Sequence, residues 1–186
     1  MIYSRFINLN WDRGWGFHPD ENNLWGASRS IKWFSSLDPK FYAYGGFPIY
    51  LYSFFNSKVE ARTVSAVLQI GIIGLLFLTG RKLRGERAGF LAAVMGIFSA
   101  GLIQASHFLT VESLIGFFSL LIVLGLVAVC ETAGVDMKFR KLHIVLLALT
   151  AIVLGLGIGT KVSFGVFILP FFGRALIFSV RKSAGT

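Results

Sequence analysis

The sequence predicts an all-α fold, a multi-pass transmembrane helical bundle with interfacial helices in its first outer loop. Three observations carry that prediction: a composition too apolar for water, five long apolar runs, and an aromatic N-terminal third. Of the 186 residues 55% are hydrophobic and only 15% charged, with a mean hydropathy of +0.70. Soluble domains carry about 25% charged residues, so this chain lacks the charge to cover a water-facing surface. Disorder is excluded by the same arithmetic, and a disulfide scaffold by the single cysteine, Cys130. The net charge of +9 and pI near 10.1 invite a nucleic-acid reading. That function needs a basic face in water, so the expected partner is the lipid bilayer and no nucleic acid.

Residues 1–62 are amphipathic and rich in rings: Trp11, Trp15, Trp25, Trp33, Tyr42, Tyr44, Tyr50 and Tyr52 are of the kind that settle at a membrane interface. His18-Pro19-Asp20-Glu21 opens a helical stretch expected to run through Phe34, with Arg29 and Lys32 three apart on one face. Asp38-Pro39 breaks the chain, and Tyr44-Gly45-Gly46-Phe47-Pro48 turns into a second aromatic helix expected over 49–55. The apolar runs follow at 63–80, 88–108, 113–130, 142–160 and 162–180, each near the roughly 20 residues that cross a 30 Å hydrocarbon core. Of these only the last holds a lysine or arginine, Arg174, near enough to its end to snorkel. Their glycines suit close helix packing, and the alternating Gly155, Gly157 and Gly159 predict a thin, closely approached face at one helix end.

Basic residues set the orientation. Arg81, Lys82, Arg84 and Arg87, then Lys138, Arg140 and Lys141, then Arg181 and Lys182 form three clusters that fall on one side if every run crosses once. The positive-inside rule makes that side cytoplasmic. Nine of the 18 basic residues are therefore topological. The chain divides into an outer loop (1–62), a five-span transmembrane part (63–182) and a cytoplasmic end (183–186). An outer segment of this length with no signal peptide normally follows an upstream helix, so a piece of a longer protein is expected.

On the outer side lie the scarce acids. Asp20 and Glu21 read either as first-turn acids after a proline at the helix start, or as a base with an orienting neighbour. In the hairpin 106–112, Thr110 and Glu112 read as a helix cap and a first-turn acid, or His107 and Glu112 point into an outward cavity. Lys161 either snorkels at the interface or holds a lipid phosphate. It is not a P-loop lysine, because no earlier glycine stands at the required spacing.

Together the segments "FHPDENNLW", "YGGFPIYLY", "SHFLTVESL" and "LGLGIGTKVSF" resemble, in order, the polyprenyl-phosphate-dependent glycosyltransferases of the GT-C superfamily. The likeness is to glycosyltransferase family 39, the protein O-mannosyltransferases, and to the aminoarabinose transferases of lipid A. It implies a multi-pass protein of the cell (plasma) membrane with an extracytoplasmic active site, a polyprenyl-phosphate sugar donor, and a protein, lipid or glycan acceptor. Asp20 matches the catalytic aspartate of the first outer loop and Glu21 its acidic neighbour. Glu112 matches the second acidic position, where relatives often carry aspartate. Lys161 matches a recurring lysine, and its part in phosphate binding, with Arg29 or Arg62, is an expectation of the chemistry.

The mechanism so implied is inverting transfer, with Asp20 deprotonating the acceptor hydroxyl, Glu21, His107 and Glu112 orienting sugar or acceptor, and the cations balancing the departing phosphate. No protein ligand set for a metal is assigned, though His18, Asp20, Glu21, His107 and Glu112 also permit a divalent cation on nitrogen and oxygen ligands. Two rivals come from other classes. A transporter or channel fragment would place charges near span centres, which these runs lack, and a non-catalytic membrane assembly protein would leave the outer acids without chemistry.

Overall fold

A computed structural model describes residues 1–132 and 140–173, with side chains over 1–129 and 142–173. Cys130, Lys138, Arg140, Lys141, Arg174, Arg181, Lys182, the run 174–180 and the end 183–186 lie outside the described residues or side chains. Among the described residues the α-helices run in order α1 (Ile2–Phe6), α2 (Pro19–Ser30), α3 (Gly46–Tyr52), α4 (Lys58–Arg84), α5 (Glu86–Phe98), α6 (Ala100–Ala105), α7 (Glu112–Thr132) and α8 (Arg140–Thr160). After α8 comes a short apolar helix, Val162–Gly173, whose first six residues wind as a 3₁₀ helix. Among the described residues there is no strand beyond one isolated bridge, Lys32 to Ser36.

Among the described residues three segments are long and apolar enough to cross a membrane: Lys58–Arg84, Glu112–Val129 and Leu142–Thr160. The first starts on Ser57, whose hydroxyl accepts from the Glu60 N–H at 3.2 Å, and ends in Arg81, Lys82 and Arg84. Acid at the start and cations at the end both suit the helix dipole. α4 and α7 run side by side in the same direction: Gln69 donates to Ser113 at 3.0 Å, and Ile72 lies against Gly116. α8 returns against α7, with Thr150 on Gly125. One end of the bundle thus collects the start of α4, the start of α7 and the end of α8.

The expected second span, 88–108, is not one helix. α5 stops at Phe98, Ser99 turns extended (ψ 114°) with its hydroxyl accepting from the Leu102 N–H, and α6 follows. The cause is remote: the buried Arg5 of α1 donates to the carbonyls of Gly96 at 3.0 Å and Ile97 at 3.1 Å, satisfying the open end of α5. Before the break α5 packs tightly on α4, where a Cβ on Gly89 would meet the Phe77 carbonyl at 2.5 Å. Only a residue without a side chain permits that approach.

Two boundaries in the outer segment also differ from expectation. α2 ends at Ser30 rather than Phe34, because the Lys32 N–H donates to Ser36 in a turn at 2.9 Å, so Arg29 and Lys32 share no helical face. α3 begins at Gly46, three residues before the expected start, and takes Pro48 into its first turn, where the missing N–H costs nothing. Nor does this segment merely lie on lipid. Leu24 and Ala27 of α2 and Ile49 and Tyr52 of α3 join Leu109, Val111, Leu114 and Leu154 in one buried core, while Trp15, Trp33, Phe34, Tyr42 and Phe54 remain exposed. That shared core fixes α2 and α3 on the end of the bundle.

Candidate active site

Asp20 stands second in α2, exposed, just after the proline that starts the helix. Glu112 stands first in α7, likewise exposed. These two acids, 92 positions apart, line one cavity of about 210 Å³ together with His18, Gln104, Phe108 and Thr110. The His18 ring lies 4.7 Å from that of Phe108 and its Nδ1 is buried without a hydrogen-bond partner, which leaves a polar atom at the wall for a bound group to satisfy.

Tyr44 closes the constellation. Burial raises its phenol above the ordinary 10, and the negative charges of Asp20 and Glu112 push the same way. Lys161 places its Nζ 6.0 Å from the centre of the Tyr44 ring. The loop carrying Tyr44 is held there by backbone: Gly45 donates to the Thr160 carbonyl at 2.9 Å, and a Cβ on Gly45 would collide with the Gly159 carbonyl. This is the thin face expected at the end of α8, although of its three glycines Gly157 faces Phe164 and Gly155 faces open space. Lys161 itself is extended (φ −156°, ψ 131°), the joint between α8 and the following 3₁₀ helix.

Asp20, Glu112 and Lys161 are thus brought to one end of the bundle. Four other expected site residues are engaged in holding it together. Glu21, adjacent to Asp20, is fully buried: Oε1 accepts from Arg62 Nε at 2.9 Å and from the Leu109 N–H at 2.5 Å, and Oε2 accepts from Arg62 Nη2 at 2.5 Å. Arg62, also fully buried, turns its other bonds to Asp12, at 3.0 Å from each carboxylate oxygen, and to the Leu9 carbonyl at 2.7 Å. It leaves no N–H for a phosphate. Arg29 donates to the Tyr52 carbonyl at 2.7 Å and lies 4.2 Å from the Trp25 ring, away from the cavity lining. His107 sets its two ring nitrogens against the carbonyls of Ile103 at 2.8 Å and Ile7 at 2.9 Å.

Two residues matter that carried no role in the sequence. Asp12 completes the buried tie, and its carboxyl is held down to about 2, mainly by the Arg62 hydrogen bonds. The sequence signal was an acid within the aromatic segment, with nothing to say which cation it would meet. Tyr44 was legible only as one interfacial ring among several. As for a metal, no three His, Cys, Asp or Glu side chains gather to hold one among the described residues, so the set His18, Asp20, Glu21, His107 and Glu112 does not form a ligand cluster.

The arrangement offers an exposed carboxylate, a second acid lining the same small cavity, a phenol close enough to feel both charges and a cation beside that phenol. A family model described as dolichyl-phosphate-mannose-protein mannosyltransferase matches residues 33–183, a stretch holding Tyr44, Glu112 and Lys161 but starting after Asp20. No curated protein and no solved structure matches the chain.

Proposed function

From a chain that belongs to the dolichyl-phosphate-mannose-protein mannosyltransferase family, we propose inverting glycosyl transfer from a polyprenyl-phosphate sugar to an acceptor hydroxyl, at the Asp20–Glu112 cavity and on the non-cytoplasmic face of the cell membrane. The convergence of Asp20 and Glu112 on one cavity is the observation that carries this reading. The acceptor oxygen attacks the anomeric carbon, its proton passes to the Asp20 carboxylate, and the bond from that carbon to the phosphate oxygen breaks. The electron pair leaves with the polyprenyl phosphate. A base within hydrogen-bond reach contributes about 10² to 10⁴ in rate.

Glu112 and the neighbouring Tyr44 orient sugar or acceptor, and Lys161 offsets the charge of the phosphate. Glu21 and Arg62 act one step back: because Glu21 is locked to Arg62 and to the Leu109 N–H, its neighbour Asp20 is fixed relative to the hairpin that leads to Glu112. The test is a transfer assay on the protein in membranes with a polyprenyl-phosphate sugar or a nucleotide sugar as donor. Transfer from the lipid donor alone, with inverted anomeric configuration, is expected. Retention of configuration, or direct use of the nucleotide sugar, overturns the proposal.

A further inference from the structure

One wall of the Asp20–Glu112 cavity has no part in the proton transfer. α6 starts afresh after the break at Ser99 and lays Gly101, Gln104 and Ala105 along the lining, the i, i+3, i+4 spacing of a single helix face. Gln104 is exposed, and its side-chain amide makes no hydrogen bond among the described residues. One turn earlier Gly101 leaves room, since a Cβ there would meet nothing within 4 Å. A second polar atom without a partner, His18 Nδ1, belongs to a side chain of the same lining. Among the described residues no lysine or arginine lines this cavity, while two acids do.

That chemistry selects among the reactants. Two carboxylates repel a phosphate, and Lys161, which would hold it, stands outside the lining. At about 210 Å³ the cavity is also below the roughly 300–1,000 Å³ of sites that enclose a drug-sized ligand, so it does not take in a lipid or peptide acceptor whole. A single neutral sugar ring suits it. A hydroxyl both donates and accepts, as does a glutamine amide, whereas an ionised carboxylate only accepts. We propose that Gln104, with His18 Nδ1 as a second contact, binds hydroxyls of the transferred sugar and so sets which sugar the chain accepts. The inference rests on the cavity being the transfer site. Being neutral, the amide holds the ring without competing with Asp20 for the acceptor proton. A site that hydrogen-bonds a substrate hydroxyl rejects the analogue lacking it, because its own polar group is then left unpaired.

Binding of polyprenyl-phosphate mannose and its monodeoxy analogues to the chain in micelles tests this. Tryptophan fluorescence reads it without transfer, the Trp11 ring lying 5.3 Å from that of Phe108 in the cavity wall. Gln104→Met, close to glutamine in length, is expected to weaken the full donor about tenfold. At least one deoxy analogue should bind the unaltered chain as weakly, and the two changes combined should lose no more than either alone. Gly101→Leu keeps the amide, fills the cavity and should weaken donor and analogues alike. Losses that add for every analogue, or unaltered donor binding by Gln104→Met, would overturn this proposal alone. Indifference to Gly101→Leu, or no binding of the lipid donor by the unaltered chain, would overturn the cavity reading with it.

Discussion

Replacing Arg62 by methionine removes a single side chain and exposes how the site is held. Its guanidinium donates five hydrogen bonds, two to Asp12, two to Glu21 and one to the Leu9 carbonyl, all within 2.5–3.0 Å. Both acids are buried, Asp12 being 2% exposed and Glu21 fully enclosed. Removing the cation leaves two carboxylates without charge compensation, and breaking a buried pair in this way costs about 3–5 kcal/mol. The geometry is bidentate to each acid, which places Arg62→Met toward the upper end of that range. The triple change Asp12→Asn, Glu21→Gln, Arg62→Met removes the charges together and should recover most of the loss, since much of the cost is the stranded charge. Unfolding in micelles can be followed by tryptophan fluorescence, because the Trp11 ring lies 5.2 Å from the Arg62 guanidinium carbon. An Arg62→Met loss below about 1 kcal/mol, or a triple variant weaker than the single, would refute the reasoning.

The same tie predicts an acid transition. With Asp12 at about 2 in the fold against an ordinary 3.8, its contribution of about 2 kcal/mol is complete above pH 4. It is lost as pH falls from 3.8 toward 2, a slope that Asp12→Asn should flatten in an acid titration of stability. Gly45→Ala should push the Tyr44 loop off the end of α8, costing about 1–3 kcal/mol and lowering transfer. A fully stable, fully active Gly45→Ala protein would show that the loop contact is dispensable. Arg5→Met strips two charged hydrogen bonds from the end of α5 and should destabilise by about 2–4 kcal/mol, with amide exchange rising first near Gly96 and Ile97. Exchange unchanged at those amides would remove Arg5 as the cause of the break at Ser99.

The parts of this fold that were legible were those with a local cause. Hydropathy located the three long helices, because a run such as 142–160 has one stable form in lipid. Pro19 marked the start of α2 to the residue, with both acids falling in its first turn. What escaped was non-local. The break at Ser99 depends on Arg5, more than ninety positions away, and hydropathy counts 88–108 as an unbroken apolar run. The division of labour between Asp20 and Glu21 was likewise invisible: successive residues on a helix point about 100° apart, and only the position of Arg62 decides which is buried. Family resemblance weighted the two acids together as a catalytic pair. The geometry gives one an open face and makes the other part of the frame.

The separate roles of the two acids are measured by comparing Asp20→Asn with Glu21→Gln in the same transfer and unfolding assays. Asp20→Asn is predicted to lower the transfer rate by about 10² to 10⁴ with stability unchanged. Glu21→Gln is predicted to lose about 3 kcal/mol of stability or more, its activity falling in step with the folded fraction. Transfer at an undiminished rate by a folded Asp20→Asn protein would remove Asp20 as the base.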